Sequence, residues 1–269
     1  MAQRPAGPCY RATVAAAETR ATSFGQVAGD YDRLRPGPPA DALDWLVPPD
    51  CATAVDLAAG TGLFTRALQQ KVTQVIAVEP DDRMRAVLTA RSPGVRAVAG
   101  RGEAIPLPDA SVDGVFVSSA WHWLDPDQAV PEIARVLRDG GRLGVIWTGW
   151  DRQAGLAAEL GMSRGPQDAS SPGEPRSRRR RHEVMLPPQA PFQHTASASF
   201  TFARTMTVDE VVDWRATYSG TITAPAEERA AALVRAREAL LRRADSDGTV
   251  QIPMRSTCWR ADRLPRQAR

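Results

Sequence analysis

The stretch DLAAGTG, residues Asp56–Gly62, follows an apolar run and precedes a helical pattern. A glycine-containing turn between a strand and a helix is where α/β proteins bind nucleotide-like ligands, because backbone N–H groups at the helix start face the ligand. Gly60 and Gly62 permit close approach and unusual backbone angles. Ala58 stands where a further glycine is common. It costs little at negative φ, but about 1 kcal/mol if positive φ is required.

Short apolar runs with β-branched residues alternate with helical patterns around this turn. Strands are predicted at Thr53–Leu57, Gln74–Glu79, Val95–Ala99, Val112–Ser118 and Arg142–Trp147. Helices are predicted at Ala40–Val47, Leu63–Gln70, Asp81–Arg91 and Pro131–Arg138. The alternation predicts an α/β fold with a Rossmann-like, doubly wound, mostly parallel seven-stranded sheet and helices on both faces.

The last of these helices has a proline near its predicted start. Proline suits the first helical turn better than the interior, so the helix is expected to begin near Pro131 rather than at Asp125. Gly140-Gly141 supplies a stop before the next strand.

The C-terminal part continues the alternation. A strand is predicted at Ser197–Thr205, helices at Val208–Trp214 and Ala226–Arg242, and a final strand at Thr249–Trp259. Pro253 interrupts the final strand and would suit an edge strand or a bulge.

Changes in composition divide the chain. A disordered leader is expected at residues 1–22 and a flexible segment rich in Arg, Pro, Gly and Ser at 152–191. The ligand-binding Rossmann-like core spans 23–151, C-terminal strands and helices at 192–262 complete the same domain, and 263–269 form a tail.

Composition and charge exclude several classes of protein. The net charge is only +3, and much of the excess arginine lies in the run Arg178–Arg181, so no nucleic-acid surface is expected. Cys9, Cys51 and Cys258 are widely spaced, which suggests neither a disulfide framework nor a metal site. No apolar run has the length of a signal peptide or membrane span. We expect a cytoplasmic monomer or homodimer.

Two carboxylates indicate which ligand the turn holds. Glu79 ends the second predicted strand, where a carboxylate can accept hydrogen bonds from a ribose diol. Asp56 would repel a pyrophosphate at the turn but attract an ammonium group, and S-adenosylmethionine carries an ammonium group and no phosphate. The alternative is that the glycines only form a tight connection and that Glu79 caps a helix.

Further motifs extend this pattern along the chain. They are VDLAAGTG (55–62), AVEP (77–80), GEAIPLPD (102–109) with SVD (111–113), AWHW (120–123) and EIARVLRDGG (132–141). Together they resemble class I S-adenosylmethionine-dependent methyltransferases, of the small-molecule type that includes ubiquinone-biosynthesis and trans-aconitate methyltransferases. The dipeptides Phe24-Gly25, Tyr31-Asp32 and Arg35-Pro36 resemble that subgroup's entry segment. The resemblance covers Phe24 to about Asp151 strongly and Phe192–Trp259 more weakly.

The resemblance implies S-adenosylmethionine as cofactor. The cofactor-binding residues that it implies are Asp56, Ala58, Ala59, Gly60, Gly62, Glu79, Pro80, Gly102, Glu103, Ser118 and Ala120. The turn would lie against the methionine part, Glu79 would bind the ribose hydroxyls, and residues 118–120 would pass near the sulfonium. Gly102 and Glu103 would line the adenine pocket. Arg101 departs from the family pattern, because many relatives carry an acidic or small polar residue there.

Several residues are candidates for contacting the acceptor. His122, after the fourth predicted strand, could act as a general base or orient the acceptor, or could pack locally between Trp121 and Trp123. Tyr31 and Arg35 could close over the ligands or anchor the N-terminal segment. The tryptophans at the ends of strands four and five could shape an apolar acceptor pocket, but such residues are more often part of the core, so at most one or two of them should touch substrate: Trp121, Trp123, Trp147 and Trp150.

These inferences predict a methyltransferase that acts on a small-molecule acceptor, at a carboxylate or hydroxyl oxygen. A second hypothesis is a protein that keeps the cofactor fold but serves as a non-catalytic binding or regulatory partner. Arg101 and the segment Gly165–Arg181 raise that hypothesis. A nicotinamide-dependent oxidoreductase is a third.

Overall fold

A seven-stranded sheet forms the centre of the molecule in the computed structural model, which describes residues 35–160, 184–217, 221 and 224–266. The first five strands are β1 (Thr53–Leu57), β2 (Gln74–Val78), β3 (Arg96–Val98), β4 (Val112–Ser118) and β5 (Leu137–Trp150). The last two are β6 (Phe192–Thr207) and β7 (Thr249–Arg263). The strand order is β3-β2-β1-β4-β5-β7-β6.

The sheet is mostly parallel, as predicted. The pairs among β1 to β5 are all parallel, whereas β7 runs antiparallel to both β5 and β6. The chain winds outward from β1 to β3 in one direction and from β4 in the other. Loops that leave the carboxyl ends of β1 and β4 therefore diverge, and a crevice opens between them.

Helices cover both faces of the sheet. They are α1 (Ala40–Leu46), α2 (Leu63–Leu68), α3 (Asp82–Arg91), α4 (Pro126–Val136), α5 (Gly155–Glu159), α6 (Val208–Ala216) and α7 (Ala226–Leu241), with a 3₁₀ turn at Trp121–Trp123. Val55 of β1 packs in one hydrophobic cluster with Ile133 of α4. Its neighbour Ala54 points to the other face and packs with Leu43 of α1 and Leu68 of α2. This alternation buries β1 on both sides, as expected for a central parallel strand.

The start of α4 corrects the sequence prediction. The helix begins at Pro126, with Asp125 as its N-cap, and Pro131 lies inside it. The Asp125 side chain accepts a hydrogen bond from the N–H of Asp127 at 3.1 Å, which secures the first turn. Pro131 removes the N–H that would have bonded the Asp127 carbonyl, but both residues are exposed, so water can satisfy that carbonyl. The helix ends at Val136, and the next residue begins β5.

Pro253 does not mark an edge strand, contrary to expectation. β7 lies between β5 and β6, and Pro253 pairs with Ala203 of β6. On its other side, the β5 ladder ends where Trp150 pairs with Met254. The carbonyl of Pro253 faces that side, where it accepts a hydrogen bond from Asp151 N at 2.8 Å. Because the N–H and C=O of a strand residue point to the same neighbour, the missing N–H faces a position where β5 has ended.

Several predicted segments lie wholly or partly outside the described residues. These are the leader at 1–22, Tyr31, the arginine run at 178–181 and most of the flexible segment at 152–191. The described start of that segment contains α5. Within the described ranges, every helix is too short or too polar to traverse a lipid bilayer. The same ranges hold no group of three or more His, Cys, Asp or Glu side chains suited to a metal ion.

Candidate functional site

A cleft of about 860 Å³ opens at the carboxyl ends of the parallel strands. The predicted site residues that line it are Arg35, Asp56, Ala58, Ala59, Gly60, Glu79, Pro80, Gly102, Glu103, Ser118, Ala120 and His122. Gly62 lies behind the turn against α3, and Trp121 is buried in the hydrophobic core. The topology therefore brings residues from the ends of β1 to β4, together with Arg35 before α1, to the lining of one cavity.

The turn after β1 is built from left-handed backbone. Ala58, Gly60 and Gly62 have φ values of 58°, 57° and 81°. Positive φ is easy for glycine but costs an alanine about 1 kcal/mol, so Ala58 is strained. The turn is held in place by a hydrogen bond from Ala59 N to the Val78 carbonyl, at 3.1 Å. This geometry points the turn's backbone into the cleft and ties it to β2.

The two glycines of the turn serve different purposes. A Cβ added to Gly60 would meet nothing within 4 Å, so this residue borders open space. A Cβ added to Gly62 would lie 2.8 Å from Leu88 Cγ and 3.3 Å from Ser92 Oγ. Gly62 is thus needed for the close packing of the α2 start against α3, while Gly60 leaves room in the cleft.

Asp56, the last polar residue of β1, lies fully buried beneath the turn. Its Oδ2 accepts a hydrogen bond from Thr65 Oγ1 of α2 at 2.6 Å, and its Oδ1 has no hydrogen-bond partner within the described part of the chain. Burial raises the pKa of Asp56 to about 7, and the nearby Glu79 acts in the same direction. Thr61, which is also buried and lines the cleft, has a hydroxyl without a partner in the described ranges. These two buried oxygens, Asp56 Oδ1 and Thr61 Oγ1, are available to bind a polar or cationic group of a ligand.

Glu79 joins the turn to the end of β2. Its Oε2 accepts a hydrogen bond from Gly60 N and its Oε1 one from Asp81 N, each at 2.9 Å. Burial raises the pKa of this carboxyl above its usual range, while these two backbone hydrogen bonds oppose the shift. The cap of α3 is Asp81 rather than Glu79, because the Asp81 side chain accepts from Arg83 N and Met84 N. Each Glu79 oxygen keeps a second lone pair that a ligand can use.

The loop after β3 forms the next part of the wall. Glu103 Oε1 accepts a hydrogen bond from Asp125 N at 3.0 Å, which anchors the loop to the start of α4. A Cβ on Gly102 would lie 2.8 Å from Leu124 Cδ2, so this glycine permits close packing at the cleft wall. Arg101 is exposed at the cleft and forms a β-bridge with Ala104.

The turn after β4 carries the candidate acceptor-facing residues. Ser119 has a φ of 57°, and its N–H donates to the Ile146 carbonyl at 2.8 Å. His122 then follows in the 3₁₀ turn, with its ring centroid 4.6 Å from that of Trp123. Both rings line the cleft, whereas Trp121 between Ala120 and His122 faces the core.

The wall of the cleft formed by β5 and β7, here called the far wall, was only partly predicted from the sequence. Trp147 and Trp150 of β5 line the cleft, as do Arg255 and Thr257 of β7. Arg255 bonds Asp151, the residue that follows β5. No local motif connects residues 104 positions apart, so sequence reasoning missed Asp151, Arg255 and Thr257. The alternating polar residues in the final predicted strand were the available signal.

Several known proteins are similar to this chain in sequence or in fold. Residues 55–145 match the family described as methyltransferase domain. An uncharacterized methyltransferase of Mycobacterium tuberculosis is 40% identical over 242 residues, which is 89% of this chain and 95% of that protein. A malonyl-[acyl-carrier protein] O-methyltransferase of Methylococcus capsulatus is 39% identical over 101 residues, 35% of this chain and 37% of that protein. A solved structure from Anaeromyxobacter dehalogenans, of a proposed type II methyltransferase, matches with a TM-score of 0.66 at 23% identity, covering 86% of this chain and 99% of that one.

Proposed function

This chain belongs to the family of S-adenosylmethionine-dependent methyltransferases, and we propose that it methylates a carboxylate or hydroxyl oxygen of a small-molecule acceptor. The observation that carries this proposal is the continuity of the cleft. One cavity extends from the glycine turn to His122 and to the tryptophans of β5. It therefore offers space for an acceptor beside the cofactor. The family assignment also argues against the third hypothesis, a nicotinamide-dependent oxidoreductase.

The residues around the turn fit the cofactor. Asp56, whose Oδ1 has no partner within the described ranges, would receive the ammonium group of the methionine part. Glu79 would accept hydrogen bonds from the ribose hydroxyls with its remaining lone pairs. Gly102 and Glu103 would border the adenine, and Ser118 and Ala120 the sulfonium. Gly60 leaves the open space that a ligand against this turn requires.

The chemistry makes few demands on the protein. When bound, S-adenosylmethionine supplies a methyl group that the positively charged sulfur already makes electrophilic. The chain's own residues need to hold the acceptor oxygen in line with that group, exclude water, and accept a proton if the acceptor is a hydroxyl. The role proposed for His122 is to orient the acceptor or accept its proton, and its position in the lining of the cleft, with Ser118 and Ala120, supports that role.

One comparison supports oxygen as the methylated atom. The Methylococcus capsulatus relative is an O-methyltransferase, although it aligns with only part of this chain.

A labelling experiment tests the proposed function. The protein is incubated with methyl-labelled S-adenosylmethionine and a deproteinised cell extract, and products are identified by mass spectrometry. We expect a labelled small molecule whose methyl group sits on oxygen as an ester or ether. Label on nitrogen, carbon or sulfur, or no labelled small molecule, would contradict the proposal.

Replacing His122 by alanine should lower turnover by about tenfold or more, since it removes a group that orients the acceptor or accepts its proton. The dissociation constant for S-adenosylmethionine should stay within about twofold, because no cofactor role is assigned to this ring. Initial rates and calorimetric titration measure the two effects. His194→Ala is the matched control, because His194 is exposed on β6. Equal activity of the His122 variant would reduce this residue to a packing role.

Cofactor affinity should depend on pH because of Asp56. Below its pKa of about 7 the carboxyl is protonated and no longer attracts an ammonium group. Affinity for S-adenosylmethionine should therefore fall as pH decreases, by about fivefold between pH 7 and pH 6 for a single proton taken up by the free protein. Equilibrium dialysis at both pH values measures this change. Asp56→Asn should bind more weakly and show a smaller pH dependence, and a pH-independent wild type would remove Asp56 from the ammonium site.

A further inference from the structure

The far wall of the cleft carries an arginine with a fixed orientation. Arg255 of β7 pairs with Gly149 of β5, and β5 ends one residue later, at Trp150, which Asp151 follows. Arg255 Nε lies 3.1 Å from Asp151 Oδ1 and its Nη2 lies 3.0 Å from Asp151 Oδ2. This two-point contact fixes the plane of the guanidinium.

The partners of Arg255 are themselves anchored. Asp151 donates its N–H to the Pro253 carbonyl, and its Oδ1 accepts from Gln153 N at 3.0 Å. The hydrogen bond from Arg255 holds the pKa of Asp151 below its usual range, so the carboxylate stays ionised at neutral pH. Gln153 Oε1 accepts a second hydrogen bond from Arg255 Nη2, at 3.0 Å. The arginine is therefore positioned before any ligand arrives.

One nitrogen of this guanidinium is unused. Asp151 and Gln153 take up Nε and both hydrogens of Nη2, and Nη1 has no hydrogen-bond partner within the described part of the chain. Arg255 lines the cleft and its side chain is 29% exposed, so a ligand can reach it. The two N–H groups of Nη1 suit an oxygen of a carboxylate.

The charges of the cleft differ between its two ends. Around the ends of β1 and β2 the charged lining residues are all acidic: Asp56, Glu79 and Asp81. Around the end of β5 and the part of β7 that pairs with it they are Asp151, Arg152 and Arg255, with a net positive charge. The acidic end matches the cationic groups of S-adenosylmethionine, and the basic end favours an anion.

Resting on the proposed function, we propose that Arg255 binds a carboxylate of the methyl acceptor, so that the substrate class is a carboxylic acid ionised at neutral pH. Trp147 of β5 pairs with Thr257 of β7, two residues along from the pair of Gly149 and Arg255 and therefore on the same face of the sheet. Both residues line the cleft, and Trp147 supplies apolar surface for the body of the acid. Asp151 and Gln153 are positioning residues that orient the guanidinium. Arg255 thereby selects the acceptor by charge.

The first experiment needs no variant. A deproteinised cell extract is divided on an anion-exchange resin at pH 7, and each fraction is incubated with the protein and methyl-labelled S-adenosylmethionine. We expect the acceptor to be retained by the resin and eluted with salt. An acceptor found only in the unbound fraction would overturn the role of Arg255 and leave the proposed function intact. No labelled small molecule from either fraction would overturn the proposed function itself.

The second experiment tests the residue with the retained fraction as acceptor. Arg255→Gln should lower the rate at limiting acceptor by about tenfold to hundredfold, the effect of a lost charged hydrogen bond. Arg255→Lys keeps the charge without the planar fork and should fall between this variant and wild type. The dissociation constant for S-adenosylhomocysteine should be unchanged in both, which shows that the cofactor end is intact. Arg229→Gln, at an exposed position of α7, is the control. Wild-type rates in Arg255→Gln would overturn the proposal.

Discussion

Replacing Glu79 by alanine is expected to weaken S-adenosylmethionine binding by about tenfold to hundredfold, because one or two charge-assisted hydrogen bonds to the ribose would be lost. The carboxylate lies at the cleft and is held by two backbone N–H groups, so it is oriented before the cofactor binds. Loss of the side chain also releases Gly60 N, which loosens the turn. Both consequences act on affinity in the same direction.

Two further variants separate these consequences. Glu79→Gln keeps the length of the side chain and one acceptor oxygen but removes the charge, so it should bind more tightly than Glu79→Ala and more weakly than wild type. Asp82→Ala removes a neighbouring carboxylate whose side chain is 88% exposed, and its affinity should stay within about twofold of wild type. Isothermal titration calorimetry measures all three. Near-unchanged affinity in Glu79→Ala would exclude Glu79 from the cofactor site.

Replacing Gly62 by alanine should destabilise the fold by about 2 to 4 kcal/mol. One contribution is the positive φ of 81°, which a Cβ disfavours. The other is the contact of that Cβ with Leu88 Cγ at 2.8 Å. Leu88 is fully buried, so α2 and α3 would have to separate to relieve the overlap. Urea unfolding of the apo-protein measures the loss.

Gly60→Ala is the matched control for this prediction. Gly60 also has positive φ, at 57°, but an added Cβ meets nothing within 4 Å. Its cost should be about 1 kcal/mol, from the backbone alone. The difference between the two variants then measures the packing contribution. Equal losses of unfolding free energy in the two variants would mean that α3 shifts at no energetic cost, and that the close contact at Gly62 does not contribute to stability.

The central strands were predictable because they are buried on both faces. Residues of β1 and β4 form short runs of apolar and β-branched side chains, and their bounds in the structure are those predicted. Such runs arise from a local requirement, since every side chain of the strand must enter a hydrophobic environment. The mostly parallel sheet with helices on both faces was predictable from the alternation of strands with helices, whereas the order of the strands was read from the structure.

The predictions for two prolines were wrong because they relied on local sequence preferences alone. Pro131 was expected to start a helix, but the buried stripe from Ala129 to Ile133 continues through it and outweighs one lost hydrogen bond at the exposed face. Pro253 was expected at a sheet edge, yet it lies in β7 between two strands. It is tolerated because β5 ends beside it, and the length of a neighbouring strand is not encoded at the proline.

The sequence by itself determined the fold class and the grouping of the glycine turn with Glu79 at one end of the cleft, because both depend on short motifs in which strand, turn and helix follow one another directly. DLAAGTG and Glu79 could be assigned to one site since parallel strands place their carboxyl ends at the same edge. Only the tertiary structure decided that Ala58 has positive φ, since backbone angles depend on how the turn is fixed to β2. It alone also brought Asp151 and Arg255 together, because antiparallel pairing of β5 with β7 joins residues that are far apart along the chain.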